Sequence, residues 1–348
     1  MRKFIFILLS IVVLVSCHTG EQDGDVLLNK NIKVFRYDRL QFEATAMNSF
    51  SALQKMSLDC PRATKILIED VLMLGTVDEP AINERLCEYY SDTILLRLMQ
   101  DATEKFKDMT SLEKGFTEGF HRLREEIPSF PIPAVYSQIS ALNQSVVVGD
   151  SLLGFSIDKY MGEDYPLYRR YYYDYQRRSM NPDRILPDCF TFYLLSLYPF
   201  EWRPGHRSLY DVIMHQGKIH WVVRKVLKMK SNGAMLGYSS EEEDWCKEHE
   251  KEMWKWMKER GHLASTDPML IRAYTHSDPS MVLNGEKIPP VIGLWLGMQL
   301  VEKYMKQHSD VSIATLLERT DFGNLKVRAY INEFPQDDQY VHTEYPDV

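Results

Sequence analysis

The histidines His215 and His220 stand five residues apart in the stretch DVIMHQGKIHW, and two imidazoles so close in sequence raise the question of a metal centre. A helix turns ~100° per residue, so positions five apart point ~140° away from each other and these two rings cannot hold one ion. The spacing that works is four, as in H-E-x-x-H, where both imidazoles share a face and the glutamate serves as base. The nearest approach is His249-Glu250-Lys251-Glu252-Met253, where a thioether would replace the second imidazole, and it reads as a charged helix face. His220 falls on the apolar stripe of Leu209, Val212, Ile213, Val223 and Leu227, which predicts a hydrogen-bonded core histidine rather than a ligand. Trp245, His249, Met253 and Trp256 likewise read as one buried stripe.

A nucleophile is the next candidate. Gly149-Asp150-Ser151-Leu152 follows the apolar run Val146 to Val148, and GDSL after a strand is the nucleophile motif of an esterase family. Ser151 would need a general base and an oxyanion donor converging on its hydroxyl. The chain contains no D-x-x-H and no G-x-N-D, and the motif lies mid-chain rather than at the start of a domain. A hairpin with Gly-Asp in its turn explains the same four residues.

Tyr160 to Arg178, YMGEDYPLYRRYYYDYQRR, holds seven tyrosines among basic residues. Arginine and tyrosine together anchor protein interfaces or stack on sugars and bases. Tyr168, Arg169, Arg170, Tyr171, Tyr172 and Tyr173 are therefore the candidate interaction surface, set against a partly buried helix whose hydroxyls reach solvent. Gly293 and Gly297 carry the G-x-x-x-G spacing of closely approaching helices, in an apolar run too short to span a bilayer, which points to tight packing within a domain.

The amino terminus sets the compartment. Met1-Arg2-Lys3 is basic, Phe4 to Val15 is apolar, and Leu14-Val15-Ser16-Cys17 looks like a bacterial lipobox. Residues 1–16 read as a lipoprotein signal peptide, Cys17 as the lipidated residue, and 17–30 as a flexible polar tether. Acylation at more than one position holds a protein to a membrane without spanning it. Asp is absent just after Cys17, which favours the outer membrane, and the acidic EQDGD could promote surface display. Without Arg2 and Lys3 there remain 39 basic and 49 acidic residues, which disfavours a nucleic-acid partner. The other cysteines, Cys60, Cys87, Cys189 and Cys246, form no C-x-x-C pair; one or two disulfides are compatible with export, with no pairing legible.

These residues must be positioned by a chain of 348 residues that is 45% apolar and 26% charged, ordinary globular material. Ile32 to Asp38 alternates as a short strand, and Phe42 to Phe120 has the three-and-four spacing of amphipathic helices. Ala134–Tyr136, Ser145–Val148 and Leu152–Ile157 read as strands. Helices return at Ser208–Lys230, at Ser240–Arg260 with a capping box of Ser240 and Glu243, and at Pro290–Gln307. The expected fold is α+β, predominantly helical with a small mid-chain sheet, as a single domain over 31–335 with a loose tail at 336–348.

Three patterns, IKVFRYDRLQF, SIDKYMGEDYPLY and IGLWLGMQLVEKYM, resemble in order and spacing the gliding-motility lipoprotein GldB family of Bacteroidota. Gln216-Gly217-Lys218 resembles its Gly-Lys helix, and Gly237-Tyr238 leads into its Trp- and Glu-rich helix; the resemblance covers about residues 31 to 330. That family is itself similar to predicted zincin-type peptidases, in which an H-E-x-x-H helix precedes one bearing a glutamate before glycine. Here Gln216 stands in the glutamate's place and DCFTFYLLSLYP has no histidine, so the resemblance implies a degenerate zincin-like domain without metal or cofactor. The expected function is a non-enzymatic lipid-anchored envelope protein supporting gliding motility or type IX secretion through protein contacts. The alternatives are a hydrolase using Ser151 or a cryptic metal set, and a glycan-binding lipoprotein using the tyrosine cluster.

Overall fold

Alternation from Ile32 to Asp38 produces a shorter strand than its length predicts, because polar pins end it. A computed structural model describes residues 31–277, 281–283 and 285–320; the expected signal peptide (1–16), Cys17, the expected tether (17–30), residues 321–335 and the expected tail (336–348) lie outside them. Strand β1 is Val34–Arg36, and helix α1 (Tyr37–Thr45) begins at once. Arg36 pairs with fully buried Asp38 at 2.7 Å, and Asp38 accepts the Ser137 hydroxyl. Gln41, one turn on, donates to Ile139 O at 2.9 Å and accepts from Ile139 N at 2.8 Å, so a side-chain amide takes the place of a neighbouring strand.

A long helical excursion follows: α2 (Phe50–Asp59), α3 (Pro61–Lys65) running into a π-helical stretch at Ile66–Val71, α4 (Ile82–Tyr89), α5 (Thr93–Lys105) and α6 (Thr110–Glu126). Local chemistry fixes its starts: Ser49 caps α2, Pro61 opens α3, and the Asp92 carboxylate accepts from Ile94 N and Leu95 N at the head of α5. The chain then lays down β2 (Ala134–Gln138), β3 (Val146–Gly149) and β4 (Leu152–Ser156). The sheet order is β1-β2-β4-β3, with β1, β2 and β4 parallel and β3 antiparallel at the edge. Its centre is covered on both faces, as parallel strands require. Phe155 of β4 meets Phe116 of α6 at 5.9 Å, Phe116 meets Phe190 at 6.0 Å, and Tyr136 of β2 meets Tyr37 edge-on at 6.0 Å.

The carboxy-terminal half contains α7 (Pro166–Tyr171), α8 (Asp174–Arg177), α9 (Ile185–Leu197), α10 (Leu209–Val226), α11 (Asn232–Leu236), α12 (Ser240–Glu259), α13 (Pro268–Thr275), the two-stranded β5 (Val282–Leu283) and β6 (Glu286–Lys287), α14 (Ile292–Gln307) and α15 (Ile313–Glu318). Helices α10 and α14 cross through glycine. A Cβ on Gly217 would lie 2.4 Å from the Gly297 carbonyl carbon, and one on Gly297 would lie 2.1 Å from Ile213 O. Backbone therefore rests on backbone, the close packing that the Gly293/Gly297 spacing predicts. The fold is α+β, mostly helical, with a small mixed sheet.

Two details correct the sequence reading. The capping box of α12 uses Ser239 and Glu242 rather than Ser240 and Glu243, because Glu243 accepts from Ser231 Oγ at 2.7 Å and ties α11 to α12. In the predicted stripe Met253 is buried, but the buried indole is Trp254; Trp245 and His249 stack at 4.3 Å on the half-buried shoulder. All four described cysteines are free thiols, with Cys189 and Cys246 buried.

Candidate functional site

Ser151 sits where a turn, not a nucleophile, is built. Gly149 pairs with Leu152 across the β3–β4 hairpin, leaving Asp150 and Ser151 as the two turn residues, with Ser151 at φ 57°. Its carbonyl accepts from Ala134 N at 2.9 Å, and no base is hydrogen-bonded to its hydroxyl among the described residues. Gly149 ends the strand, so the turn is Asp-Ser rather than Gly-Asp.

On α10 the residues that could suggest a metal site are occupied otherwise. Gly217 is spent on the crossing with α14. Lys218, nearly fully buried, donates to Leu317 O and Arg319 O, each at 2.7 Å, and so caps the carboxy-terminal end of α15. Burial lowers its pKa to about 8. The His215 ring packs edge-on against Phe200 at 5.3 Å, and that phenyl stacks on His206 at 5.0 Å. Both histidines are buried, and the Nε2 atom of each lacks a hydrogen-bond partner among the described residues. Burial, reinforced by Lys218, His206 and His220, pushes the His215 pKa down to about 3. His220 is half-buried, with Nδ1 2.8 Å from Gln216 O, and burial takes its pKa to about 4.

A zinc ion does not fit this neighbourhood. Gln216 offers a neutral amide, and α9 presents Cys189, Phe190 and Tyr193 to the core with no imidazole. Burial raises the Cys189 thiol far above its ordinary pKa, so it stays protonated and is no thiolate ligand. Among the described residues no three His, Cys, Asp or Glu side chains converge to hold a metal.

The central pattern is internal chemistry as well. Asp158, fully buried, accepts from Ser140 N at 2.9 Å and Leu142 N at 2.7 Å, closing a loop in which Ala141 and Leu142 take φ of 52° and 68°. Burial raises its pKa, against the opposing pull of those backbone donors. The Tyr160 hydroxyl donates to Asp188 at 2.9 Å, and burial lifts the Asp188 carboxyl to about 6.

The tyrosine cluster divides. Tyr168 is fully buried, its hydroxyl donating to Asp158 O and accepting from Met161 N, so it leaves the candidate surface. Tyr172 is half-buried, with Lys159 Nζ 4.8 Å from its ring centre. Arg169, Arg170, Tyr171 and Tyr173 face solvent, Tyr171 at 56% and Tyr173 at 71% exposure. Arg169 pairs with Asp164 at 2.6 Å, Arg170 lies over the Tyr171 ring, and Tyr173 stacks on Tyr175. Short α7 and α8, separated by extended Tyr172 and Tyr173, present this ridge. Sequence reasoning missed the His206–Phe200–His215 stack, since His206 lies in a loop where no periodicity announces burial.

The family described as gliding motility protein GldB matches residues 20–326. The chain belongs to the gliding motility protein GldB family. No curated protein and no solved structure matches it. Each segment that carries the resemblance to the GldB family now has a mechanical account: Arg36, Asp38 and Gln41 lock β1 to α1, Asp158 closes a loop, and Gly217 with Gly297 sets a helix crossing. Gly237, at φ 75°, ends α11, and the Tyr238 hydroxyl after it donates to Pro290 O. No helix among the described residues is long and apolar enough to cross a membrane.

Proposed function

We propose that this GldB-family chain is a non-enzymatic lipoprotein, held to the outer membrane through acylated Cys17, that supports gliding motility or type IX secretion by binding envelope proteins through the Arg169–Tyr173 ridge. The observation that carries the reading is the employment of the motif residues: Asp38, Gln41, Asp158, Gly217 and Lys218 are all spent on holding the fold. A peptidase-like arrangement stripped of its metal donors, with Gln216 in place of a carboxylate, is consistent with that use. The ridge supplies exposed arginine beside exposed tyrosine, the residue types that dominate binding energy at protein interfaces.

The test is photocrosslinking in cells from position 171, with position 251 on α12 as a surface control and Cys17→Ala as the unanchored control. Anchor-dependent recovery of the same envelope proteins from position 171 alone is the expected result. Recovery of glycan in place of protein, or identical products from both positions, would overturn the reading.

A further inference from the structure

A groove lies around Phe35, a residue 49% exposed on the edge strand β1. One part, about 620 Å³, is lined by Lys33, Phe35, Arg36, Arg39, Lys55 and Asp59. It shares Phe35, Asp59 and Cys60 with a second part of about 320 Å³ that adds Arg62. Lys33 and Arg36 are neutralised by Glu113 and Asp38. Arg39, Lys55 and Arg62 are exposed and form no ion pair among the described residues; Arg39 donates to Lys107 O and Arg62 to Asp150 O. Asp59 is the acid in the lining, so cations exceed anions here in a chain whose net charge is −8. Leu58, next to Asp59 on α2, is 75% exposed. An apolar side chain ringed by unpaired cations is the composition of a surface that meets anionic headgroups.

We propose that this groove lies against the anionic headgroups of the membrane that carries the lipid anchor. The proposal rests on the anchored reading of Cys17, and chain length supplies its second support. Residues 18–30 separate the anchor from Asn31, and thirteen residues span at most ~45 Å in any conformation. Asn31 lies three residues before β1, so β1 is the described element nearest the anchor along the chain, and the groove around Phe35 lies within that reach of the lipid. Thr117 and Glu113 of α6 already accept from Ile32 N and Val34 N. The β1 edge is therefore closed to an added strand, which favours a headgroup surface over an extended peptide as the occupant.

The polypeptide from His18 onward, without lipid, keeps every described residue and is the form to test. Its partition onto phosphatidylglycerol-containing vesicles is compared with that onto neutral vesicles, for the wild type, for Arg39→Glu/Lys55→Glu/Arg62→Glu, and for Lys230→Glu/Lys251→Glu/Lys255→Glu, exposed positions away from the groove and the ridge, as a control of equal charge change. Matching thermal unfolding of the three proteins shows that each is folded. The expected result is binding to anionic vesicles that falls at least ~10-fold in the groove variant and much less in the control. No preference for anionic vesicles, or equal loss in both variants, overturns the proposal. Sedimentation as a dimer that the groove substitutions dissolve would assign the groove to a second copy and overturns it equally. Acyl chains on the amino-terminal peptide, read by mass spectrometry, judge the anchor separately, because the vesicle assay uses no lipidated protein.

Discussion

At the scale of single residues, burial decides protonation. His215 and His220 have pKa values of about 3 and about 4 in the fold against an ordinary 6.5. The unfolded chain therefore takes up protons on these rings between pH 6.5 and 4 while the folded chain does not. Stability is highest above pH 6.5 on their account and is lost as pH falls through that window. Asp188 opposes this, since a carboxyl raised to about 6 binds its proton in the fold before it does so in the unfolded chain. Asp158, also raised by burial, opposes it in the same sense, so the histidine share of the fall in stability is read as the difference in urea unfolding between the wild type and a His215 variant over pH 6.5 to 4.5. His215→Leu should flatten that fall by roughly 2–3 kcal/mol while changing stability little at pH 7.5, where the neutral ring has an unpartnered Nε2. Asp158→Ala strands the amides of Ser140 and Leu142 in the interior and should cost roughly 3 kcal/mol by the same measurement. A cost below ~1 kcal/mol would mean that water replaces the carboxylate.

At the scale of elements, the α10–α14 crossing is the most demanding contact, because it leaves no room for a methyl group on either helix. Gly217→Ala or Gly297→Ala should lower stability by roughly 3 kcal/mol or more in chemical denaturation, since neither backbone can yield without moving a whole helix. The β3–β4 turn should behave oppositely. Ser151→Gly relieves a left-handed backbone and should leave stability within ~1 kcal/mol of wild type, and a fluorophosphonate probe should leave Ser151 unlabelled. Elements like these were legible because their signals are local: the three mid-chain strands, the helices over 208–307 and the glycine spacing all follow from periodicity and turn chemistry. Boundaries were less so. Ser239 and Ser240 are equally good caps in sequence, and only the distant Ser231, by taking Glu243, decides between them. Tyr168 could not be told from Tyr171 by type or spacing, because its burial depends on Asp158 and Met161 folding over it. The Phe35 groove was invisible for the same reason: its wall is completed by Ala134, Val135 and Leu152, which reach Phe35 and Arg62 only after the long excursion closes.

At the scale of the molecule, one connected hydrophobic cluster runs from Val34 to Leu317, and Asp38, Gln41, Asp158 and Gly217, from the segments that carry the resemblance, brace the loops and helix crossings around it. On the two readings proposed above, the Phe35 groove meets the membrane and the Arg169–Tyr173 ridge meets envelope partners. The most direct test of contact against chemistry is complementation in a strain lacking this gene, scored by the surface spreading or secretion phenotype at matched protein level. Ser151→Ala and His215→Leu should restore the phenotype fully, and Arg170→Ser/Tyr171→Ser/Tyr173→Ser should fail to do so while remaining folded and anchored. Restoration by the ridge variant together with failure of Ser151→Ala or His215→Leu would contradict the account.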